Sequence, residues 1–208
     1  MQSLYDFIIK PIGKRYNNTK KIGEKELIVN TEVFNHQYIN REAKVISIPR
    51  LVKTDIKPGD IIIVHHNIFR RWHDARGVEK NSSNFVDETT YKITLDQIFL
   101  YKSNNHWQAP DEYCFVKPIH SYNTLDIDAE QPLVGILKHS NKLLDESGLT
   151  EGDLVGFTPS SEYEFIIERE RLYRVYTTEI TIKYEYQGQE KEYNPSWLQS
   201  SWWTYKSC

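Results

Sequence analysis

Apolar positions along this chain cluster in short runs and alternating stretches, and helical signals are weak. Ile61 to Val64 is a compact apolar run closed by a polar stretch, the pattern of a buried strand. Glu179-Ile180-Thr181-Ile182-Lys183-Tyr184 alternates polar and apolar residues, the pattern of a half-exposed strand. Gly59-Asp60 and Gly152-Asp153 punctuate the chain just before strands, where glycine permits a positive φ at little cost. Only Asn141 to Ser147 and Asp96 to Leu100 read as single helical turns. Many short strands separated by regular turn signals predict an all-β chain of barrel or sandwich type.

The strand pattern occurs twice. Phe7-Ile8-Ile9-Lys10-Pro11-Ile12 returns as Cys114-Phe115-Val116-Lys117-Pro118-Ile119. Lys44 to Ile48 is matched to Leu133 to Leu137, and Ile56-Lys57-Pro58-Gly59-Asp60-Ile61 to Leu149-Thr150-Glu151-Gly152-Asp153-Leu154. Tyr91-Lys92-Ile93, with Asp96-Gln97-Ile98, parallels Tyr173-Arg174-Val175, with Thr178-Glu179-Ile180. The offset shrinks from 107 at Lys10 to 93 at Gly59 and 82 at Ile98. The first copy therefore carries longer connections between the same strands, as expected of a duplicated scaffold. The predicted organisation is a first domain over 1–103, a polar linker over 104–112, a second domain over 113–186 and a tail over 187–208.

Composition agrees with strands and narrows the function classes. The 208 residues include 14 Tyr, 8 Phe and 5 Trp, types that fit a pleated, half-buried surface. A net charge of -3 argues against a general nucleic-acid or membrane binder. No apolar run approaches the ~20 residues needed to span a bilayer, and the first residues lack the pattern of a signal peptide. Two cysteines, Cys114 and Cys208, do not make a disulfide framework, so a reduced cytoplasmic setting is expected. Neither a glycine-rich phosphate loop, a Gly-x-Ser-x-Gly elbow nor a His-Glu-x-x-His sequence occurs, so neither an enzyme nor a cofactor is expected.

The ordered set of motifs resembles the GroES family of co-chaperonins, small irregular β-barrels. Phe7-Ile8-Ile9-Lys10-Pro11 looks like the family's opening strand, Lys57-Pro58-Gly59-Asp60 like its Lys-x-Gly-Asp turn, and Thr90 to Tyr101 like its closing segment. The resemblance covers about residues 4–102 and 113–186. It implies two tandem GroES-like barrels with an aromatic tail. It also implies a homo-oligomeric ring, sevenfold by analogy, that caps a GroEL-type chaperonin and assists folding of an unfolded substrate protein. ATP hydrolysis would belong to the partner. Phage-encoded members diverge to a similar extent, and such an origin would place the protein in a host cytoplasm.

The family docks through a polar mobile loop carrying an aliphatic tripeptide. Here residues 13–41 fill that position, and Leu27, Ile28 and Val29 stand where the tripeptide belongs. A polar segment cannot bury enough apolar area to order itself. Burying each aliphatic on a partner would contribute about 1.5–3 kcal/mol, against roughly 2–5 kcal/mol for ordering the loop. One loop binds weakly, whereas a ring of them gains through effective concentration. The alternative is an ordered strand, since Leu-Ile-Val has high β propensity. The matching stretch of the second copy, His120 to Gln131, has no aliphatic triplet.

Three further features bear on function. The segment from His65 to Asp74 is rich in metal-capable side chains but lacks a cysteine partner and helical spacing, so a polar hairpin over Ile68 to Phe85 is expected and no metal site. Arg70, Arg71, Trp72 and Arg76 in that hairpin would suit phosphates and bases, which keeps open a small nucleic-acid-binding β module. Trp197, Trp202 and Trp203 crowd the tail, where they either cover an open barrel end or form a subunit or partner contact. A structural or assembly protein that keeps the scaffold without binding a chaperonin is the remaining alternative.

Overall fold

A computed structural model describes residues 2–16, 19–23, 25–28, 39–121 and 129–195. The chain divides into two compact units between Trp107 and Gln108. The first contains β1 (Phe7–Pro11), β2 (Thr19–Ile22), β3 (Lys25–Ile28), β4 (Glu42–Ser47), β5 (Ile61–Val64), β6 (Arg71–His73), β7 (Glu79–Asn81), β8 (Phe85–Asp87), β9 (Thr90–Ile93), β10 (Ile98–Ser103) and β11 (His106–Gln108). The second contains β12 (Tyr113–His120), β13 (Glu130–His139), α1 (Lys142–Glu146), β14 (Leu154–Phe157), β15 (Tyr163–Ile167), β16 (Glu170–Tyr176) and β17 (Ile180–Tyr184). The all-β class stands. Each main sheet runs from one edge strand to another, and among the described residues no ring of strands closes into a barrel.

The duplication is written into the hydrogen-bond register. The first unit orders its strands β10-β5-β4-β1-β9-β8 and the second β17-β14-β13-β12-β16-β15, the same succession at six positions. Ile9 pairs with Val45 and Tyr91, and Val116 pairs with Leu137 and Tyr173. The register slips between Ile8 and Ile9 in one unit and between Phe115 and Val116 in the other, so even the bulge is repeated. At the Gly-Asp turns, the Gly59 and Gly152 amides each donate 2.8 Å bonds to Val45 and Leu137. Those glycines have φ of 100° and 96°, a region closed to most side chains.

This pairing corrects one expected equivalence. Lys44-Val45-Ile46-Ser47 corresponds to Ile136-Leu137-Lys138-His139, three positions later than the apolar match suggested. Similar aliphatic strings align equally well in several registers, and only the cross-strand partner selects one. Under the corrected register the cores superpose by position. Phe7, Ile9, Val45, Ile62, Val64, Tyr91 and Ile93 are buried together, as are Cys114, Val116, Leu137, Val155, Phe157, Tyr173 and Val175.

The stretch expected as a linker over 104–112 is also corrected at its start. Asn104 and Asn105 take positive φ values of 51° and 67° and turn the chain from β10 into β11, which joins the seven-stranded sheet. Two successive asparagines tolerate that left-handed turn, so a polar stretch that looks like a connection makes a tight hairpin instead. The expected helical turn is present as α1, capped by Asn141, and a 3-10 turn spans Leu95–Gln97.

At one place where the two copies differ in sequence, they differ as a complementary pair. A side chain at Gly156 would meet Tyr184 Cε2 at 2.9 Å. By the shared register these positions are Ile63 and Lys102 in the first unit. The Tyr184 ring thus fills the space that Ile63 fills for itself. Gly156→Ile alone should destabilise the second unit by about 1–3 kcal/mol through overpacking. Adding Tyr184→Lys should recover most of that loss in a double-mutant cycle followed by urea unfolding.

Candidate docking hairpin and its root

The segment singled out for docking leaves the first unit after Tyr16 and rejoins it at Ile39, where the two residues form an antiparallel bridge. Between them, β2 and β3 pair with each other alone, with Lys20 opposite Leu27 and Thr19 opposite Ile28. Leu27 and Ile28 therefore lie on a hairpin strand outside the seven-stranded sheet. The ordered-strand alternative describes their backbone, but the strand belongs to the excursion and not to the main sheet. Val29 lies outside the described residues.

The root of this excursion is firmly tied. Asn40 is 5% exposed and donates from Nδ2 to the Ile12 carbonyl at 2.7 Å and the Lys14 carbonyl at 3.1 Å. Its Oδ1 accepts from the Glu42 amide at 2.9 Å, and its own amide donates to the Arg15 carbonyl at 2.9 Å. The buried Tyr16 hydroxyl accepts from the Arg71 amide at 2.9 Å, and Arg15 Nε donates to the Phe69 carbonyl at 3.2 Å. The Arg15 guanidinium also stands 5.5 Å from the Tyr91 ring. Each neutral bond contributes on the order of 1 kcal/mol, and leaving any of these buried groups unpaired costs more. The sequence does not single out Arg15, Tyr16 or Asn40 as anchors, because their partners lie up to 55 positions away.

The polar hairpin expected over Ile68 to Phe85 is present as β6 and β7. Arg71 pairs with Glu79 at 3.4 Å and lies 5.1 Å from the Tyr16 ring, and Lys80 pairs with Asp74 at 3.7 Å. Two of its cations are thus matched by its own carboxylates, which weakens the case for phosphate binding there. Among the described residues, no group of three His, Cys, Asp or Glu side chains is placed to hold a metal, and no helix is long and apolar enough to cross a membrane.

Trp197, Trp202 and Trp203 lie outside the described residues, whereas the chain just before them belongs to the second unit. Glu192 bridges Ile119, the Tyr193 amide donates to the Pro118 carbonyl at 2.8 Å, and Tyr193 is buried. The first part of the tail expected to start at 187 therefore contributes to the second sheet's surroundings. Cys114 is fully buried, and burial pushes its thiol up to about 12, so it stays protonated and unreactive at neutral pH.

Arg174 is surrounded by the rings of Tyr176, Tyr113 and Tyr163 at 4.7, 5.0 and 5.7 Å, so this aromatic cluster is already filled by the protein's own cation. No family model matches the chain, and no curated protein matches it.

Proposed function

We propose that this chain is a co-chaperonin that caps a GroEL-type ring through Leu27, Ile28 and Val29. The observation that carries this reading is an asymmetry between two copies that share a strand order and register. The first connects its first two core strands through a segment that bears Leu27 and Ile28 on a hairpin separate from the main sheet, whereas the matching stretch of the second, His120 to Gln131, has no aliphatic triplet in its sequence. A two-stranded hairpin has marginal stability alone, so apolar contact with a partner adds directly to it. A hairpin already paired also carries a smaller ordering cost than an unstructured loop. The pinned root transmits a pull from that contact to the first unit. In this reading a ring of such chains, sevenfold by analogy with the GroES family, encloses an unfolded protein, and the chemistry of ATP stays with the chaperonin.

The test is co-elution of the full chain with a GroEL-type ring in size-exclusion chromatography, with and without ATP. Binding should require nucleotide. Leu27→Asp combined with Ile28→Asp should weaken it by more than about a hundredfold, because each aliphatic burial is worth about 1.5–3 kcal/mol. The circular dichroism of that variant should match wild type. An oligomer that forms normally and ignores the chaperonin would point instead to a structural or assembly role.

A further inference from the structure

The second unit shows what the first one lacks. Along the far end of β12, one side is covered by β13 and the other by β16, but β16 reaches only to Val116, which pairs with Tyr173. Beyond it the vacated edge is taken by residues 191–193. The His120 amide donates to the Lys191 carbonyl and the Tyr193 amide to the Pro118 carbonyl, both at 2.8 Å. The added segment also delivers a carboxylate. Glu192 Oε2 lies 2.5 Å from Lys117 Nζ, which Glu170 meets from the other side at 3.0 Å. The Tyr193 ring packs edge-on against His120, their centroids 5.1 Å apart.

Among the described residues, no strand takes the same place in the first unit. The repeat carries Lys117, Pro118, Ile119 and His120 onto Lys10, Pro11, Ile12 and Gly13. β4 covers one side there, with Pro11 opposite Ala43 and the Ile12 amide donating to the Glu42 carbonyl at 3.0 Å. β9 stops at Tyr91, opposite Ile9. Among the described residues, nothing pairs with the Pro11 carbonyl and the Gly13 amide on that side. A cleft of about 550 Å³ runs along this edge. Lys10, Lys14, Arg15 and Arg71 line it, with Glu88, the counterpart of Glu170, as the single carboxylate. Lys10 is exposed and directly opposite the exposed Lys44, and no carboxylate pairs with either among the described residues. Like charges facing each other across a sheet repel until an anion arrives.

We propose that this cleft is a docking site for an extended acidic peptide of a partner protein. The peptide adds antiparallel to the Pro11–Gly13 edge and places a carboxylate on Lys10, as Glu192 does on Lys117. Carbonyl acceptor and amide donor alternate along the edge, a pattern that a peptide backbone matches and a row of phosphates does not. Lys10 and Lys44, which no carboxylate meets among the described residues, select an acidic sequence. The chain's own matching segment is seated in the second unit, which leaves the first for another protein. This inference stands apart from chaperonin capping, since it uses neither Leu27 nor Ile28.

The probe is a fluorescein-labelled peptide of residues 187–195, Gln-Gly-Gln-Glu-Lys-Glu-Tyr-Asn-Pro, titrated with the full chain and read by fluorescence anisotropy. Saturable binding that weakens with salt is expected. Lys10→Glu should weaken it about tenfold or more, the scale of one charge-assisted contact. A peptide with lysine in place of its Glu192 should then bind the Lys10→Glu protein better than the wild type. Lys10 is exposed, so this variant keeps its fold, and matching circular dichroism checks it. No binding up to about 1 mM, affinity indifferent to Lys10→Glu, or a charge-reversed peptide that fails to restore binding would each overturn the proposal. Sedimentation that shows self-association of the wild type, lost in Lys10→Glu and competed by the peptide, would assign the cleft to a second copy and overturn the partner assignment.

Discussion

Glu170→Gln combined with Glu192→Gln should destabilise the second unit by about 3–5 kcal/mol, the cost of leaving a buried charge without its counter-charge. The Lys117 side chain is 1% exposed, and its ammonium is held by both carboxylates at 3.0 and 2.5 Å. Burial works against that charge, yet the hydrogen bonds it donates to Glu192 and Glu170 outweigh it and hold the Lys117 pKa above the usual lysine value. Burial likewise raises Glu170, but the bonds from Lys117 and Lys138 win and leave it below the usual carboxylate value. The glutamines keep shape and acceptor oxygens, so what is removed is charge alone. Adding Lys117→Met should recover most of the loss, because a buried thioether needs no counter-charge. Urea unfolding, with hydrogen exchange of the β12 and β13 amides to assign the loss to this unit, checks both outcomes. A double variant within about 1 kcal/mol of wild type would remove this cluster from the unit's stability.

The pH dependence follows from the same two shifts. Glu170, depressed on folding, contributes stability that is present above its unfolded value of about 4.3 and is lost as pH falls through its lower folded value. Lys117, raised on folding, contributes stability that is present below its unfolded value of about 10.4 and is lost as pH rises through its higher folded value. The cluster's contribution is therefore flat between roughly pH 5 and 10 and declines on both sides. In the double glutamine variant the acid decline owed to Glu170 should be absent.

Asn141→Ala should cost about 3 kcal/mol, the sum expected of a lost helix cap and orphaned buried polar groups. Asn141 is 4% exposed and uses every polar atom of its side chain. Oδ1 accepts from the Leu144 amide at 2.9 Å and starts α1. Nδ2 donates to the Tyr113 carbonyl at 2.6 Å, the Thr177 hydroxyl at 2.7 Å and the Asp111 carbonyl at 3.3 Å. One side chain thus joins the entry to β12, the turn after β16 and the only α-helix among the described residues. Asn141→Asp keeps the cap but sets a carboxylate against two carbonyls, so it should be no milder than alanine. Thermal unfolding of both variants decides this. A helix cap acting alone would give about 1 kcal/mol for alanine and almost nothing for aspartate.

Several elements were legible before any coordinates. Ile61 to Val64 and the alternation from Ile180 are strands because an apolar run between turns and a period of two have few other solutions. Asn141 was readable as the start of a turn from its residue type and the leucines after it, although its three donor contacts were not. The aliphatic run after Glu26 was visible, and so was the absence of a counterpart in the second copy. Its pairing as β3 with β2 was weighed only as a strand of the main sheet, because propensity gives the extended backbone and not the partner.

The amino-acid order by itself determined that the chain is made of strands, that it repeats, and that the first copy carries the longer connections. Local periodicity and turn chemistry act over a few residues and need no knowledge of neighbours. Tertiary structure alone decided the register that moved Leu137 opposite Val116 and turned the residues after Ser103 into a hairpin strand. It also decided that the edge beside Lys117 is filled by Glu192, while beside Lys10 no described residue takes that place. Hydrogen bonds between strands join positions tens of residues apart, and their energy appears only once the chain has brought those positions together.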